Sequence, residues 1–160
     1  MRNKSYGRGE VLRLEQIYRS KADLINGASL SKELGANYAR YLCVLLAGFA
    51  EQSLKALLTE HARKKSNSAV HRFVDKNVNS MWGINQHKMQ EMLDSFDPTW
   101  FKDLEQGMEQ ELSALQSVGK LRDNISHGSD AGITLDTMKS YSTDVIKLMR
   151  KLSDLLDPIG

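Results

Sequence analysis

Residues 29–65 read SLSKELGANYARYLCVLLAGFAEQSLKALLTEHARKK, and this stretch predicts one long helix that organises the fold. Ser29 and Ser31 suit the start of the helix, and the basic residues 63–65 suit its end. Between residues 42 and 50 nearly every side chain is apolar, so we expect other helices to enclose this section. One apolar stripe with spacings of three and four runs along the first half: Leu34, Tyr38, Tyr41, Leu45 and Phe49.

Helix signals also dominate on both sides of this stretch, and strand signals are nearly absent. We predict helices over residues 10–24, 67–82, 85–96 and 98–127, with a break near Gly107, and a last helix that begins at Thr134 or Asp136 and ends before Pro158. Gly128 is placed for the left-handed turn that closes the helix carrying His127. The predicted fold class is therefore all-α: one domain over residues 1–160, a bundle of about four main helices with one or two short helices inserted between the second and third.

The composition limits the classes of function. The chain has 160 residues, of which 41% are hydrophobic and 26% charged, and its net charge of +2 gives no strong overall attraction to nucleic acid. The single cysteine, Cys43, has no second cysteine for an intramolecular disulfide and is expected to be a small buried apolar residue. The four histidines are scattered and lack thiolate neighbours, so the sequence predicts no metal site and no cofactor.

The chain start and the apolar runs indicate where the protein works. The basic residues 1–8 are followed by charged positions instead of an apolar stretch, so we interpret them as a frayed end and not as a signal peptide. The longest apolar run is about a third of the length that spans a bilayer. We therefore expect a cytoplasmic protein without membrane contact.

One short segment, LRDNISHG at residues 121–128, concentrates groups that can carry out chemistry. Arg122 and His127 are five positions apart, which is about 140° around a helix axis, so both can border one groove. Asp123 lies four positions before His127, within reach of a hydrogen bond that would orient the imidazole. Ser126 likewise lies four positions after Arg122.

These residue types suit the cleavage of RNA, whose 2′-hydroxyl is a nucleophile beside the phosphate that it attacks. A histidine moves protons near neutral pH, and an arginine offers a planar set of donors to phosphate oxygens. Such a reaction needs no metal ion. On spacing alone, however, an arginine and a histidine at a helix end are more often a surface pair stabilised by the helix dipole.

The segment resembles the signature of the HEPN superfamily, in which an arginine and a polar residue precede a histidine late in a helix of an all-α bundle. The matching residues form the pattern Arg-x4-His followed by glycine: Arg122, Asp123, Asn124, His127 and Gly128. The run LLAGFAEQSLK at residues 45–55 is similar to the long second helix of such domains, with an acid inside an apolar run. The resemblance covers about residues 30–155 and points to the RiboL-PSP branch of the superfamily.

The resemblance implies an endoribonuclease that works as a homodimer, with one composite site built from the arginine and histidine of both subunits. In that site Arg122 would hold the scissile phosphate, and His127 would act as acid or base. The remaining candidate residues support the pair or contact RNA: Asp123, Asn124 and Glu51 as supporting residues, and Lys120 and Ser126 as RNA contacts.

Many proteins of this superfamily are toxins or phage-defence nucleases, so the resemblance also suggests an antitoxin or a larger defence complex as a partner. In one branch a tyrosine follows the histidine closely and the partner is a nucleotidyltransferase antitoxin. Here Ser129 and Asp130 follow Gly128, so that pairing is not implied. Some members keep the fold without the activity, and the alternative is therefore a non-catalytic module that dimerises and binds a partner protein or a nucleotide.

Three further features have two interpretations each. Glu51 is either a partner of Arg122 or a wall of the site, or it forms an ion pair where helices cross. The basic residues 63–65 could grip an RNA backbone, although a solvated helix end is the simpler account. Trp82 and Trp100 could stack on bases, but we expect them to pack the inserted helices.

Overall fold

The computed structural model describes residues 5–129 and 132–159, and every regular element in these residues is an α-helix. The basic residues 1–4 and Asp130, on which two of the sequence interpretations rest, lie outside the described residues. The helices in chain order are α1 (Gly7–Asn26), α2 (Lys32–Lys65), α3 (Ser68–Asn79), α4 (Gln86–Phe96), α5 (Pro98–Glu105), α6 (Glu109–Ser126) and α7 (Leu135–Leu156). The predicted all-α bundle is confirmed.

Four long helices form the bundle, and three short ones are inserted between α2 and α6. The sequence predicts one or two short helices, because its apolar pattern joins α5 to α6. The break predicted near Gly107 separates them: Gly107 has a φ of +140°, a backbone conformation that favours glycine. Side-chain caps define several helix starts, and the hydroxyl of Ser31 accepts a hydrogen bond from the Leu34 N–H at the start of α2.

Helix α2 is the centre of the bundle, since it packs against α1, α3, α6 and α7. Its buried positions recur along the whole helix and give it more core residues than any other element described: Ala39, Leu42, Cys43, Leu46, Ala47, Phe49, Ala50, Leu54, Leu57 and Leu58. Burial of each large aliphatic side chain contributes about 1.5–3 kcal/mol. The expectation that other helices enclose the middle of this helix is confirmed for most of residues 42–50.

The stripe predicted along the first half of α2 is not one buried face. Phe49 is buried and Leu45 is half-buried, whereas Leu34, Tyr38 and Tyr41 are between 39% and 49% exposed, as is the neighbouring Val44. Helix α3 packs against α2, and the cleft that the two helices share is lined by residues of the second half of α2, from Gln52 to Arg63. The exposed residues of the first half do not line that cleft. We call Leu34, Tyr38, Tyr41 and Val44 the α2 stripe.

Polar contacts also fasten the long helices to one another. Glu15 of α1 accepts two hydrogen bonds from Arg150 of α7, at 2.8 and 2.7 Å, and these bonds hold the pKa of the Glu15 carboxyl below its usual value. Cys43 of α2 is fully buried with its Sγ 3.7 Å from the Val118 carbonyl oxygen of α6, and burial raises the pKa of this thiol to about 11. Cys43 is therefore a buried apolar residue, as the sequence predicted.

The length and composition of α2 meet the criteria for a membrane-spanning helix, with a mean hydropathy of 1.4 in its most apolar window. In that window 56% of the residues are buried inside the bundle. The central helix of a packed helical protein meets the same criteria, because it must be apolar on most of its circumference.

Candidate functional site

The end of α6 is closed by a glycine turn that fixes the position of His127. The N–H of Gly128 donates to the Ile125 carbonyl at 3.1 Å, and the N–H of Ser129 donates to the Asn124 carbonyl at 2.9 Å. This pair of bonds is the Schellman arrangement, and Gly128 has the positive φ of +77° that it requires. The left-handed turn predicted at Gly128 is confirmed. His127 caps the helix, and its side chain is exposed.

Arg122 lies one and a half turns earlier, and its guanidinium contacts the loop between α3 and α4. The side chain is 20% exposed, and its Cζ lies 4.7 Å from the centre of the Trp82 ring. Nη1 is 3.6 Å from Asp123 Oδ1, which is too long for a hydrogen bond. Among the described residues this buried nitrogen has no hydrogen-bond partner. An arginine donor is therefore held in place without a hydrogen-bond acceptor from residues 5–129 or 132–159.

The loop that covers Arg122 spans residues 80–85, and we call it the Trp82 loop. Gly83 has a φ of +76°, and its N–H donates to Glu51 Oε1 at 2.6 Å. Lys88 Nζ donates to the Trp82 carbonyl at 2.5 Å. The carbonyl of Ile84 lies against Gly119 of α6, where a Cβ atom would overlap it. Lys88 and Gly119 could not be found from the sequence, because neither belongs to a motif or an apolar stripe.

We expect Gly119→Ala to destabilise the protein and displace the Trp82 loop, because the new methyl group would overlap the Ile84 carbonyl oxygen. The expected loss is about 1–3 kcal/mol in the free energy of unfolding, the range typical of overpacked sites. Urea denaturation measures it. Gly48→Ala is the matched control, since this helical glycine has open space around its Cβ position and the exchange there should be neutral or slightly stabilising. Equal stability of the two variants would contradict the close approach of loop and helix.

Glu51 forms part of the wall beneath the Trp82 loop. Its carboxylate accepts the Gly83 N–H and lies 3.9 Å from Lys55 Nζ, one turn further along the same helix. It makes no ion pair with Arg122 in the described structure, and its ion pair is within α2 instead of between crossing helices. The interpretations of Glu51 as a partner of Arg122 and as an ion pair between crossing helices are therefore wrong, and its role as a wall of the site stays a prediction.

The other candidate residues divide between two sides of α6. Asp123 points towards Arg122, and no hydrogen bond joins it to His127 in the described residues, so the predicted orientation of the imidazole by this carboxylate is wrong. Asn124 is half-buried, and its carbonyl serves the glycine turn. Lys120 and Ser126 are exposed, as RNA contacts must be. Lys120 and His127 are seven positions apart and therefore share the solvent side of α6.

The two tryptophans have opposite environments. Trp100 is only 9% exposed and packs on Phe96 and His61, with ring centres 6.1 and 4.9 Å away, so the prediction that it packs the inserted helices is confirmed. The same prediction is wrong for Trp82, which is 69% exposed. The basic end of α2 forms ion pairs: Arg63 binds Glu60, and Lys64 binds Asp157.

Comparison of the sequence with models of known protein families identifies the family of the chain. The model of the RiboL-PSP-HEPN family matches residues 12–157, which is nearly the whole sequence. The chain belongs to the RiboL-PSP-HEPN family. This result confirms the resemblance to HEPN proteins and agrees with the all-α bundle. No match was found among curated proteins or among solved structures. The site of this RiboL-PSP-HEPN protein is therefore interpreted from its own geometry.

Proposed function

We propose that the protein is a metal-independent endoribonuclease that acts as a homodimer and leaves a 2′,3′-cyclic phosphate. One observation carries the proposal: at the end of a single HEPN helix, Arg122 has a buried donor without a hydrogen-bond partner in the described residues, and His127 is exposed. A guanidinium fits phosphate oxygens, and an imidazole titrates near neutral pH. Together, a group that binds the phosphate and a group that transfers protons are sufficient for RNA cleavage by the 2′-hydroxyl.

The reaction balances without a metal ion. The 2′-oxygen forms a bond to phosphorus, and the bond from phosphorus to the 5′-oxygen breaks. One histidine takes the proton of the 2′-hydroxyl as a general base, and a protonated histidine gives a proton to the departing 5′-oxygen. Arg122 donates to the non-bridging oxygens, where negative charge accumulates in the transition state. The second histidine of a dimer lets acid and base act on opposite sides of the phosphate.

The α2 stripe supports the homodimer. Four large apolar side chains along one helix remain exposed to solvent, which is characteristic of an interaction surface. The edge of this surface approaches the candidate site: Arg40, one helical turn before Val44 of the stripe, borders one cavity together with Ile125, Gly128 and Ser129 at the end of α6. Pairing of two stripes would therefore bring the two copies of His127 towards a common interface.

We expect Arg122→Ala to lower the rate of RNA cleavage in EDTA by about 10²- to 10³-fold, because it removes the main donor to the phosphate in the transition state. The measurement is single-turnover cleavage of a transfer RNA pool and a mixed messenger RNA by the purified protein. Arg72→Ala is the matched control, since Arg72 is an exposed arginine on α3. Equal activity of Arg122→Ala and wild type would contradict the role of Arg122, and loss of cleavage in EDTA would contradict a metal-independent reaction.

One observation favours a second function. The His127 ring has no hydrogen bond to orient it among the described residues, whereas catalytic imidazoles are normally oriented by a neighbour. A non-catalytic module that dimerises and binds a partner protein or a nucleotide would have no need of that orientation. A stable dimer without any cleavage would support this alternative.

For the ribonuclease, we propose a location in the cytoplasm and a role as a toxin or phage-defence nuclease that is restrained by an antitoxin or a larger complex.

A further inference from the structure

Trp82 is the one tryptophan of the described residues that is mostly exposed, although it is anchored at its backbone. Hydrogen bonds from Lys88 to the Trp82 carbonyl and from the Gly83 N–H to Glu51 hold both sides of this residue. Ile84, two residues after Trp82, is buried, and its carbonyl lies against Gly119. The exposure of the indole is therefore built into the loop. Because exposing so large an apolar ring is costly, it indicates a ligand.

Two cations lie beside this indole. Arg122 Cζ is 4.7 Å and Lys88 Nζ is 5.7 Å from the ring centre. Both cations also approach Gly83: a Cβ atom built there would lie 3.0 Å from Lys88 Nζ and 3.8 Å from Arg122 Nη1. The flat apolar surface of the indole thus lies next to two cations, and both cations lie close to Gly83. This combination matches a nucleotide, which is a flat base joined to an anionic phosphate.

We propose that Trp82 stacks on an unpaired base of single-stranded RNA beside the scissile phosphate, and that Lys88 binds the adjacent phosphate. The inference rests on the proposed ribonuclease function and specifies its substrate class. Single-stranded RNA is required because bases in an A-form duplex are stacked on each other and are not accessible to an indole. A second protein copy suits the surface less well, since it would have to desolvate both Lys88 and Arg122.

The test uses a single-stranded 2′-O-methyl oligonucleotide, which lacks the free 2′-hydroxyl and so binds without being cleaved. In a Trp100→Phe background Trp82 is the only tryptophan, and we expect the oligonucleotide to quench its fluorescence. By fluorescence anisotropy we expect Trp82→Ala to weaken binding roughly 5- to 150-fold, the range measured for loss of one base-stacking contact. The matched control is Phe73→Ala, because Phe73 is also 69% exposed but lies on α3.

Several results would overturn the inference: unchanged oligonucleotide binding by Trp82→Ala, equally strong binding of a duplex of the same sequence, or conversion of Trp82→Ala to a monomer in sedimentation. The last would assign the indole to the subunit interface. Cleavage by the wild type is measured separately and distinguishes the two proposals. Oligonucleotide binding that depends on Trp82, without cleavage, would support base stacking and reject the ribonuclease. Cleavage by the wild type, together with oligonucleotide binding that does not depend on Trp82, would support the ribonuclease and reject base stacking by Trp82.

Discussion

Replacing His127 with alanine is expected to reduce the rate of RNA cleavage by about 10²- to 10⁴-fold, the contribution typical of a positioned acid or base. The folded state should be unaffected, because the His127 side chain is exposed and its backbone bonds in the glycine turn remain. Single-turnover cleavage of RNA measures the first effect, and thermal unfolding measures the second. A large loss of activity at unchanged stability is what separates a catalytic residue from a structural one.

His87→Ala is the matched control for this prediction. His87 is an exposed histidine that lies 3.1 Å from Glu91 on α4, away from the end of α6. Removal of the same side chain type there should leave the rate of cleavage unchanged. If His127→Ala cleaves as fast as His87→Ala, the histidine of this segment has no role in proton transfer, and the non-catalytic module becomes the better account.

Tyr41→Glu is expected to dissociate the homodimer and to abolish cleavage at low protein concentration. Tyr41 lies in the α2 stripe, so the substitution would bring two like charges together if two stripes pair as proposed. Such a pair costs several kcal/mol, and a cost of about 4 kcal/mol raises the dissociation constant about 1,000-fold. The monomer should remain folded, because Tyr41 is partly exposed and substitutions at exposed positions usually change stability by less than about 0.5 kcal/mol.

Sedimentation over a range of concentrations, combined with cleavage assays, tests this prediction. Leu24→Glu is the matched control, since it also replaces an exposed apolar side chain by a carboxylate but lies on α1, outside the α2 stripe. A Tyr41→Glu protein that sediments as the wild type does would show that the stripe is not the subunit interface. Full activity of a monomeric variant would contradict the composite site, whatever surface joins the subunits.

Helix positions could be predicted closely because their signals are local. Ser31 and Thr134 accept capping hydrogen bonds at the starts of α2 and α7, and glycine at 128 closes α6 by a turn that other residues adopt poorly. The break between α5 and α6 was predicted at Gly107 for the same reason. Such signals depend on a few neighbouring residues, so no knowledge of the packing is needed to read them.

Which side of a helix is buried could not be predicted in the same way. Periodicity showed that α2 has an apolar stripe, but it could not show that α3 borders the second half of this helix. Phe49 is buried where its ring stacks on Tyr18 of α1, with 6.4 Å between the ring centres, whereas Tyr41 of the same predicted stripe remains exposed. Likewise, the burial of Trp100 and the exposure of Trp82 depend on neighbours distant in sequence.

The sequence by itself determined the all-α class, the order of the long helices and the segment that carries Arg122 and His127, because periodicity, caps and a short motif act over a few turns. Only the tertiary structure decided what surrounds that segment. Trp82 contacts Arg122, and Glu51 of α2 and Lys88 of α4 hold the Trp82 loop in place. The loop packs closely on α6 because residue 119 has no side chain. Contacts between segments so far apart in the chain depend on how the helices pack, which no local pattern specifies.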